Sequence, residues 1–260
     1  MKGELRFPFF LLINNTMKDH LKLVTSMFLV HLITIVGLYY YWDSIWLLVS
    51  LLGIILFGAL GIEGYCHRLL SHKSFKVSNN VDKFLNICAL FGLQGPPMIW
   101  AANHVTHHQY SDVDGDPHPA TDGWRTWFWI GTETNSQINL SVIKRLSRNK
   151  MHRFIKDYYY VIYWSTLAIS FFINPKIAIY FFAIPAVYTL HASSWVNVFS
   201  HSFGYRNHET NDNSRNIHLP FLLLHPYHNN HHANAGNYDI SEKWYEFDYI
   251  KYLIDILKDK

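Results

Sequence analysis

The chain has little cysteine and little charge. Of its 260 residues, two are cysteines, Cys66 and Cys88, and 16% are Asp, Glu, Lys or Arg. Two cysteines without a paired pattern exclude the disulfide framework of a secreted protein. The sequence also has no flavin fingerprint, no haem-attachment motif and no cysteine cluster for an iron–sulfur centre.

Other missing features narrow the function further. No His-Glu-x-x-His motif occurs, which argues against a zinc metalloprotease. A formal net charge of +3 is too small to predict a nucleic-acid partner. Because no internal repeat, low-complexity tract or linker interrupts the chain, we expect a single domain over residues 1–260.

What the chain does contain is apolar sequence. Half of its residues are hydrophobic, and four uncharged runs, at 23–42, 44–62, 158–173 and 177–199, are long enough to cross the hydrocarbon core. Only Asp43 separates the first two runs and only residues 174–176 separate the last two, so each pair predicts a helical hairpin. The first run is too long for a cleaved signal peptide. The sequence predicts an all-α integral membrane protein with four transmembrane helices in two hairpins.

Charge predicts the orientation in the membrane. Of the 22 Lys and Arg residues, all but Lys176 lie before residue 23, between residues 61 and 157, or after residue 204. In the predicted topology these three segments share one side, which is the cytoplasm by the positive-inside rule. Both termini and a helical cap are therefore expected there. The uncharged segment 84–100 is broken by Gly95-Pro96-Pro97 and is predicted to be interfacial or partly inserted, since a full crossing would separate the histidine motifs that flank it.

Three histidine motifs lie in the predicted cap: His67-x4-His72, His104-x2-His107-His108 and His228-x2-His231-His232. Helical residues three and four apart share a face, so each His-x2-His-His group can direct three imidazoles at one point. Imidazole is a common ligand of iron, copper, zinc and nickel. Three such motifs together predict a polynuclear metal centre.

Further histidines divide into three kinds. His201 follows the fourth apolar run, with Asn197 four residues earlier on the same face, and both are predicted at the cytoplasmic end of the helices. A capping Asn and an exposed His are the alternative. His31 and His191 lie deeper in apolar runs and are interpreted as neutral imidazoles bonded to neighbouring helices. The others, which have no partner at ligand spacing, are left out of the site: His20, His118, His152, His208 and His218.

These motifs resemble the membrane fatty acyl desaturases, the family that includes stearoyl-CoA desaturase and the bacterial and cyanobacterial acyl-lipid enzymes acting at carbons 9 and 10. The resemblance runs from Gly61 to the C-terminus and rests on segments 67–75, 100–118, 197–201 and 228–232. It implies two iron ions, with Asn197 holding a water, on nine histidines: His67, His72, His104, His107, His108, His201, His228, His231 and His232.

The resemblance also implies a reaction. Two ferrous ions and dioxygen would remove two hydrogens from adjacent carbons of a saturated acyl chain, leaving a cis double bond, in this group at carbon 9. Zinc could replace iron during purification. Since the chain lacks a second redox group, a separate ferredoxin or cytochrome b5-type donor is implied, and the basic cytoplasmic face suits an acidic carrier.

An acyl chain offers nothing to hydrogen-bond, so specificity is expected from an apolar tunnel. The resemblance maps its bend onto Gln94, Trp100 and Ser193. Its closed end is predicted along the second helix near Ile55 and Ala59. Trp100 has a second interpretation as an anchor at the membrane interface.

Two departures from the family bear on the substrate and the metal site. Where acyl-CoA desaturases carry Arg and Asp that contact the coenzyme A headgroup, this chain has Ala102, Asn103 and Val105, which favours a lipid-linked or carrier-linked acyl chain. Before the third motif, the usual Gly-Glu-Gly-aromatic reads Leu224-His225-Pro226-Tyr227. His225 is expected to replace the glutamate beside a ligand imidazole, with a spare ligand or an inert residue as alternatives.

Two other functions are weighed against desaturation. A hydroxylase, acetylenase or carotenoid-type oxygenase could use similar histidine motifs, but the 111–118 and 197–201 segments favour the desaturase. A metal transporter or sensor would place its site at the bilayer midplane on broken helices, whereas these motifs lie beyond the helix ends.

Overall fold

The computed structural model describes residues 9–130, 138–219 and 224–259, with side chains from His20 onward. The described residues form helices joined by loops and contain no strand beyond isolated bridges. The helices in chain order are α1 (Phe9–Tyr41), α2 (Leu47–Gly53), a π-helical segment (Ile54–Ser71), α3 (Asn79–Phe91), α4 (Pro97–Tyr110), α5 (Trp124–Trp127), α6 (Leu140–Leu146), α7 (Lys150–Ile173), a π-helical turn (Ile177–Ala183), α8 (Ile184–Phe199), α9 (His228–Ala233) and α10 (Tyr249–Leu257).

The first two apolar runs form two helices separated by a break of two residues. α1 ends at Tyr41, and the next helix starts with a 3-10 turn at Ser44–Trp46. Asp43 caps this start, because its carboxylate accepts a hydrogen bond from the Ile45 amide at 3.2 Å. The sequence predicted a break at this position, and the structure has one.

The second helix extends further than predicted. The apolar run stops at Ile62, but the helix continues through the π-helical segment to Ser71. The polar residues that follow Ile62 do not end the helix because they are buried with partners. Glu63 and Arg68 contact each other at 3.2 Å, and Ser71 donates to the Cys66 carbonyl at 2.7 Å.

The π geometry explains the spacing of the first histidine motif. In an α-helix, residues five apart point in different directions, whereas a π-helix joins residues i and i+5 by a backbone hydrogen bond. The His72 amide donates to the His67 carbonyl at 3.3 Å, and the two imidazole rings lie 5.1 Å apart. The wider helix therefore brings both histidines to one face.

Segment 84–100 is not one helix. α3 ends at Phe91 and α4 begins at Pro97, with Gly95 between them at φ +89°. α3 lies against the π-helical segment at a close approach, since a Cβ on Gly61 would lie 2.6 Å from the Ala89 nitrogen. The predicted break at the Gly-Pro-Pro sequence is present, and α4 begins there and carries the second histidine motif.

Among the described residues, three helices are long and apolar enough to cross a membrane: His20–Tyr41, Ser44–Ser71 and Ile177–Phe199. α7 covers the third predicted run but begins at Lys150, eight residues before the run itself, with Asn149 as its cap. It falls outside that set of three. Its C-terminal half nevertheless exposes large apolar side chains, including Phe172 at 87%.

The C-terminal segment is held onto the π-helical segment by a buried ion pair. Arg68 Nη1 donates to the Asp248 carboxylate at 2.6 Å, and Asp248 also caps α10 by accepting from the Ile250 and Lys251 amides. Ile250 and Ile254 of α10 are buried in a cluster that contains Ala59. The C-terminal segment, with α10, thus covers the end of the second helix that carries His67 and His72.

Candidate metal centre

The structure brings the nine predicted histidines together in two groups. Within each group the candidate ligand nitrogens lie within 4.8 Å of one another. The five-histidine group consists of His67, His72, His104, His108 and His231. The four-histidine group consists of His107, His201, His228 and His232.

Each group draws on several helices. α4 supplies His104 and His108 to one group and His107 to the other, because His107 lies on a different face of the same helix. α9 divides its histidines in the same way, with His231 in the five-histidine group and His232 in the four-histidine group. The two groups therefore lie side by side across α4 and α9.

The spacing between imidazole nitrogens suits metal ligands. Facing Nε2 atoms lie 2.9 Å apart for His67 and His231, 2.9 Å for His104 and His72, and 2.8 Å for His201 and His228. Two nitrogens bound at right angles, each about 2.1 Å from one ion, would be about 3.0 Å apart. A tetrahedral ion would hold them about 3.4 Å apart and has four positions only. The three observed distances are closer to the right-angle spacing.

Carboxylates fix the orientation of four of these imidazoles. In each case the imidazole Nδ1 donates to a carboxylate oxygen. The pairs are His67 with Glu63 at 2.6 Å, His107 with Asp116 at 2.9 Å, His201 with Asp112 at 2.9 Å and His232 with Asp212 at 2.6 Å. A proton held on Nδ1 leaves the Nε2 lone pair free for a metal. Such carboxylate–imidazole pairs are the usual outer partners of metal-bound histidine.

Five of the imidazoles are held neutral. Burial, followed by repulsion from neighbouring imidazoles, lowers the pKa of His104, His108, His228 and His231 well below its usual value. Burial also lowers the pKa of His232 to about 3. Metal binding requires the deprotonated ring, so these groups are ready to act as ligands at neutral pH.

Burial by itself would raise the pKa of the outer carboxylates. For Asp116 and Asp212 the hydrogen bond from the partner imidazole counteracts burial, and the pKa falls below its ordinary value. Both carboxylates therefore stay ionised and accept hydrogen bonds only.

Metal ions fit this arrangement. Within the part of the chain that the structure describes, Nε2 of His107 and Nε2 of His232 are buried without a hydrogen-bond partner. Buried polar atoms normally have a partner, and two lone pairs in one group of imidazoles suit a cation. The donor set, with imidazoles alone in each group, is suited to iron, copper, zinc or nickel.

Two asparagines hold the third histidine motif in place. Asn229 Oδ1 accepts from the Asn207 and His208 amides, each at 2.9 Å. Asn230 Nδ2 donates to Glu246 at 2.8 Å. Both asparagines are buried, and they tie α9 to the 205–216 loop and to the C-terminal segment.

A cavity adjoins both groups. Among its lining residues are His67 and His104 of the five-histidine group, His228 of the four-histidine group, and Asn197. Asn197 is on α8, and its role in holding a water stays a prediction. No Lys or Arg lines the cavity among the described residues.

Three of the five predicted tunnel residues line this cavity, namely Gln94, Trp100 and Ser193. They are linked by hydrogen bonds: Gln94 Nε2 donates to Ser193 Oγ at 2.8 Å, and Trp100 Nε1 donates to Gln94 Oε1 at 2.9 Å. Trp100 also stacks on His104 with 5.0 Å between ring centroids. These contacts favour the tunnel interpretation of Trp100 over the interface anchor.

Ile55 and Ala59, the predicted closed end of the tunnel, are not among the residues that line the cavity. Ala59 is fully buried in a cluster with Phe75, Leu224 and Ile254. Other residues that line the cavity are Leu23 of α1, Tyr160 of α7 and Trp129, which follows α5.

His31 and His191 contact each other as interpreted from the sequence. Their Nε2 atoms lie 2.9 Å apart, and Trp127 Nε1 donates to His191 Nδ1 at 3.0 Å. His31 Nδ1 lies 2.6 Å from the Met27 carbonyl. Neutral rings that join α1, α8 and α5 account for these distances.

His225 lies beside the metal groups. Its Nδ1 donates to Glu63 Oε1 at 2.7 Å, the same oxygen that His67 contacts. The predicted neighbourhood of His225 is therefore present, with Glu63 supplying the carboxylate.

Sequence reasoning missed the outer carboxylates as site residues. Glu63 had a signal, because an acidic residue at the end of an apolar helix and four residues before His67 shares its face. Asp112 and Asp116 stand in a segment already identified as family-like, but no role was predicted for them. Asp212 comes from a distant loop, and its spacing to His232 carries no local signal.

Comparison with known proteins agrees with the geometry. Residues 41–252 match the family model described as fatty acid desaturase. The chain is 29% identical to Delta-9 acyl-lipid desaturase 2 of Arabidopsis thaliana, over 91% of the chain and 78% of that protein. It is 31% identical to icosanoyl-CoA 5-desaturase of Limnanthes douglasii, over 93% and 70% respectively. It is 29% identical to sn-1 stearoyl-lipid 9-desaturase of a Synechocystis strain, over 86% and 72%.

Proposed function

The chain belongs to the fatty acid desaturase family and is a membrane oxidoreductase, and from that premise we propose that it introduces a cis double bond at carbon 9 of a lipid-linked acyl chain, using two irons and dioxygen. The observation that carries the proposal is the pair of histidine groups beside a cavity that no Lys or Arg of the described residues lines.

The nine histidines would hold the two irons. Five imidazoles would bind one ion and four the other, and Asn197, which lines the adjoining cavity, would hold a water there. When bound, the irons and dioxygen supply an oxidant able to break unactivated C–H bonds, which side chains alone cannot do. Glu63, Asp112, Asp116 and Asp212 keep their partner imidazoles in the ligand tautomer.

The cavity would position the acyl chain. Gln94 is held by Trp100 and by α8, since its Nε2 also donates to the Thr189 carbonyl at 3.0 Å. Its amide is therefore satisfied within the protein and leaves a fixed wall against the methylene groups. Trp100 stacks on His104, so the wall and the metal ligand move together. This rigid junction supports reaction at a fixed bond of the chain.

A lipid-linked substrate is favoured over acyl-CoA. Ala102, at one of the positions where acyl-CoA desaturases carry polar contacts to the headgroup, is fully buried in an apolar cluster. Recognition of the coenzyme's phosphates calls for Arg or Lys at fixed positions. Two of the relatives named above are acyl-lipid desaturases that act at carbon 9.

The proposed topology has four spans in two hairpins, with α7 as the fourth. Lys176 Nζ donates to the Asp43 carboxylate at 2.5 Å, so the two breaks between helices lie at the same end of the bundle. The histidine groups lie at the other end, with most of the Lys and Arg residues. Apolar side chains exposed on α7 suit contact with lipid. The proposal places the histidines and both termini in the cytoplasm; residues 1–8 and Lys260 lie outside the described residues.

The reaction needs two electrons from outside. Neither cysteine can take part in a cluster, because Cys66 and Cys88 are separate, buried thiols. A ferredoxin or a cytochrome b5-type protein that docks on the cytoplasmic face is the proposed donor.

A deuterated substrate tests the reaction directly. The iron-loaded chain is reconstituted in vesicles with a reductase and an electron donor, and with a lipid whose stearoyl chain is perdeuterated. Desaturation predicts a product that has lost two deuterium atoms and gained no oxygen. A product that has gained one oxygen atom and lost one deuterium would identify a hydroxylase instead.

A further inference from the structure

His225 has the surroundings of a metal ligand rather than of an outer residue. The side chain is buried, and it lies between the two histidine groups. Its ring centroid is 4.6 Å from that of His67 and 4.7 Å from that of His231, both in the five-histidine group. It is 5.1 Å from that of His228 in the four-histidine group.

The hydrogen bonding of His225 matches that of the predicted ligands. A carboxylate oxygen of Glu63 accepts its Nδ1 proton at 2.7 Å, as Asp116 does for His107 and Asp212 for His232. The proton on Nδ1 leaves a lone pair on Nε2, on the ring edge away from Glu63. That Nε2 is buried and has no hydrogen-bond partner among the described residues.

A purely outer role leaves this nitrogen unexplained. If His225 only donated a hydrogen bond to Glu63, its Nδ1 proton would be enough. The side-chain amide of a glutamine or asparagine could donate the same hydrogen bond. A buried, unpaired acceptor costs free energy unless something occupies it. His225 also lines the cavity that adjoins both groups.

We propose that His225 is a tenth imidazole ligand of the metal centre, which binds one of the two ions through Nε2. This inference rests on the proposed function, because it presupposes that the two groups hold metal. One Glu63 oxygen then orients two ligands, His67 and His225, and couples their positions. The His-Pro-Tyr sequence before the third motif thereby adds a ligand where the family usually has a glutamate.

Cobalt(II) absorption tests the assignment without relying on activity. The visible bands of Co²⁺ shift when one imidazole leaves its coordination sphere. Three variants are loaded with cobalt beside the parent: His225→Ala, His225→Gln and, as the matched control, His218→Ala. Gln keeps a donor for Glu63 but lacks the imidazole nitrogen. His218 lies near the third motif, where its Nδ1 contacts the Tyr227 hydroxyl, and belongs to neither group.

We expect the bands to shift in both His225 variants, and added imidazole to restore them in His225→Ala by filling the space. Both should also lose metal to a chelator more readily than the parent, while His218→Ala keeps the parent spectrum. If His225→Gln had the same spectrum as the parent, His225 would not be a ligand, and its role would be limited to the hydrogen bond with Glu63. Thermal unfolding of each variant establishes that it is folded. If the parent itself bound no cobalt, the proposed metal centre, rather than the role of His225, would fail.

Discussion

Asp116 offers the sharpest test of the four-histidine group. Its carboxylate is fully buried and accepts His107 Nδ1 at 2.9 and 3.0 Å. It also accepts the Asp112 amide on one oxygen and the His118 amide on the other, each at 3.0 Å. In Asp116→Asn, one oxygen becomes an NH2 group of nearly the same size. Whichever way this amide turns, one backbone amide faces a donor and loses its acceptor.

The magnitudes follow from these contacts. One unpaired buried amide costs about 1–3 kcal/mol of unfolding free energy. Loss of the carboxylate that orients His107 weakens metal binding by about 10- to 100-fold, or about 1.4–2.8 kcal/mol. Because His107 belongs to the four-histidine group and not to the five-histidine group, we expect chelator titration to remove one of two metals early. The second metal should leave at the parent chelator concentration.

The matched control is Asp82→Asn. Asp82 accepts from the Tyr65 hydroxyl at 3.0 Å and from no residue of either group. It should lower stability while both metals are retained. If Asp116→Asn kept both metals with parent affinity, the carboxylate would not orient a ligand, and the assignment of the four-histidine group would be refuted.

Three further results are expected. His107→Ala and His231→Ala should each abolish turnover and lose metal from a different group, which metal analysis with activity assays will show; full iron content and activity in both would contradict the site. Ala59→Phe tests whether the tunnel ends at Ala59. Because Ala59 is buried in the cluster with α10, we expect the free energy of unfolding to fall by about 1–3 kcal/mol and the product chain length to stay unchanged. Shorter products at parent stability would show that the tunnel does end there. Reconstituted protein should desaturate stearoyl chains on lipid in preference to stearoyl-CoA, and turnover of the CoA ester alone would reverse the carrier assignment.

Much of the site was predictable because histidine spacing is a local signal. The i, i+3 and i+4 pattern predicted that α4 and α9 would each direct three imidazoles at one point. That prediction is wrong, because each helix divides its three imidazoles between the two groups, although the structure gathers all nine histidines. The sequence could not divide them into groups of five and four. That division depends on where α4 and α9 cross, which is a matter of tertiary packing.

Helix ends were less predictable. Hydropathy ended the second helix at Ile62, since Glu63 and Arg68 are charged, but their partners lie far away in the chain. Asp248 is 180 residues from Arg68, and His225 is 162 residues from Glu63. The π geometry that aligns His67 with His72 also leaves no trace in an α-helical pattern. Hydropathy and residue spacing carry no information on pairs that are distant in the sequence or on local π-helical geometry.

The proposed desaturation of lipid-linked acyl chains is tested most directly in cells whose membrane lipids lack double bonds. The chain is expressed there with a compatible electron donor, and fatty acids are analysed by lipid class and double-bond position. The account predicts cis double bonds between carbons 9 and 10 of lipid-linked chains, and none in cells that express His107→Ala. Unchanged saturated lipids despite iron-loaded protein in the membrane, or hydroxylated chains in place of unsaturated ones, would contradict it.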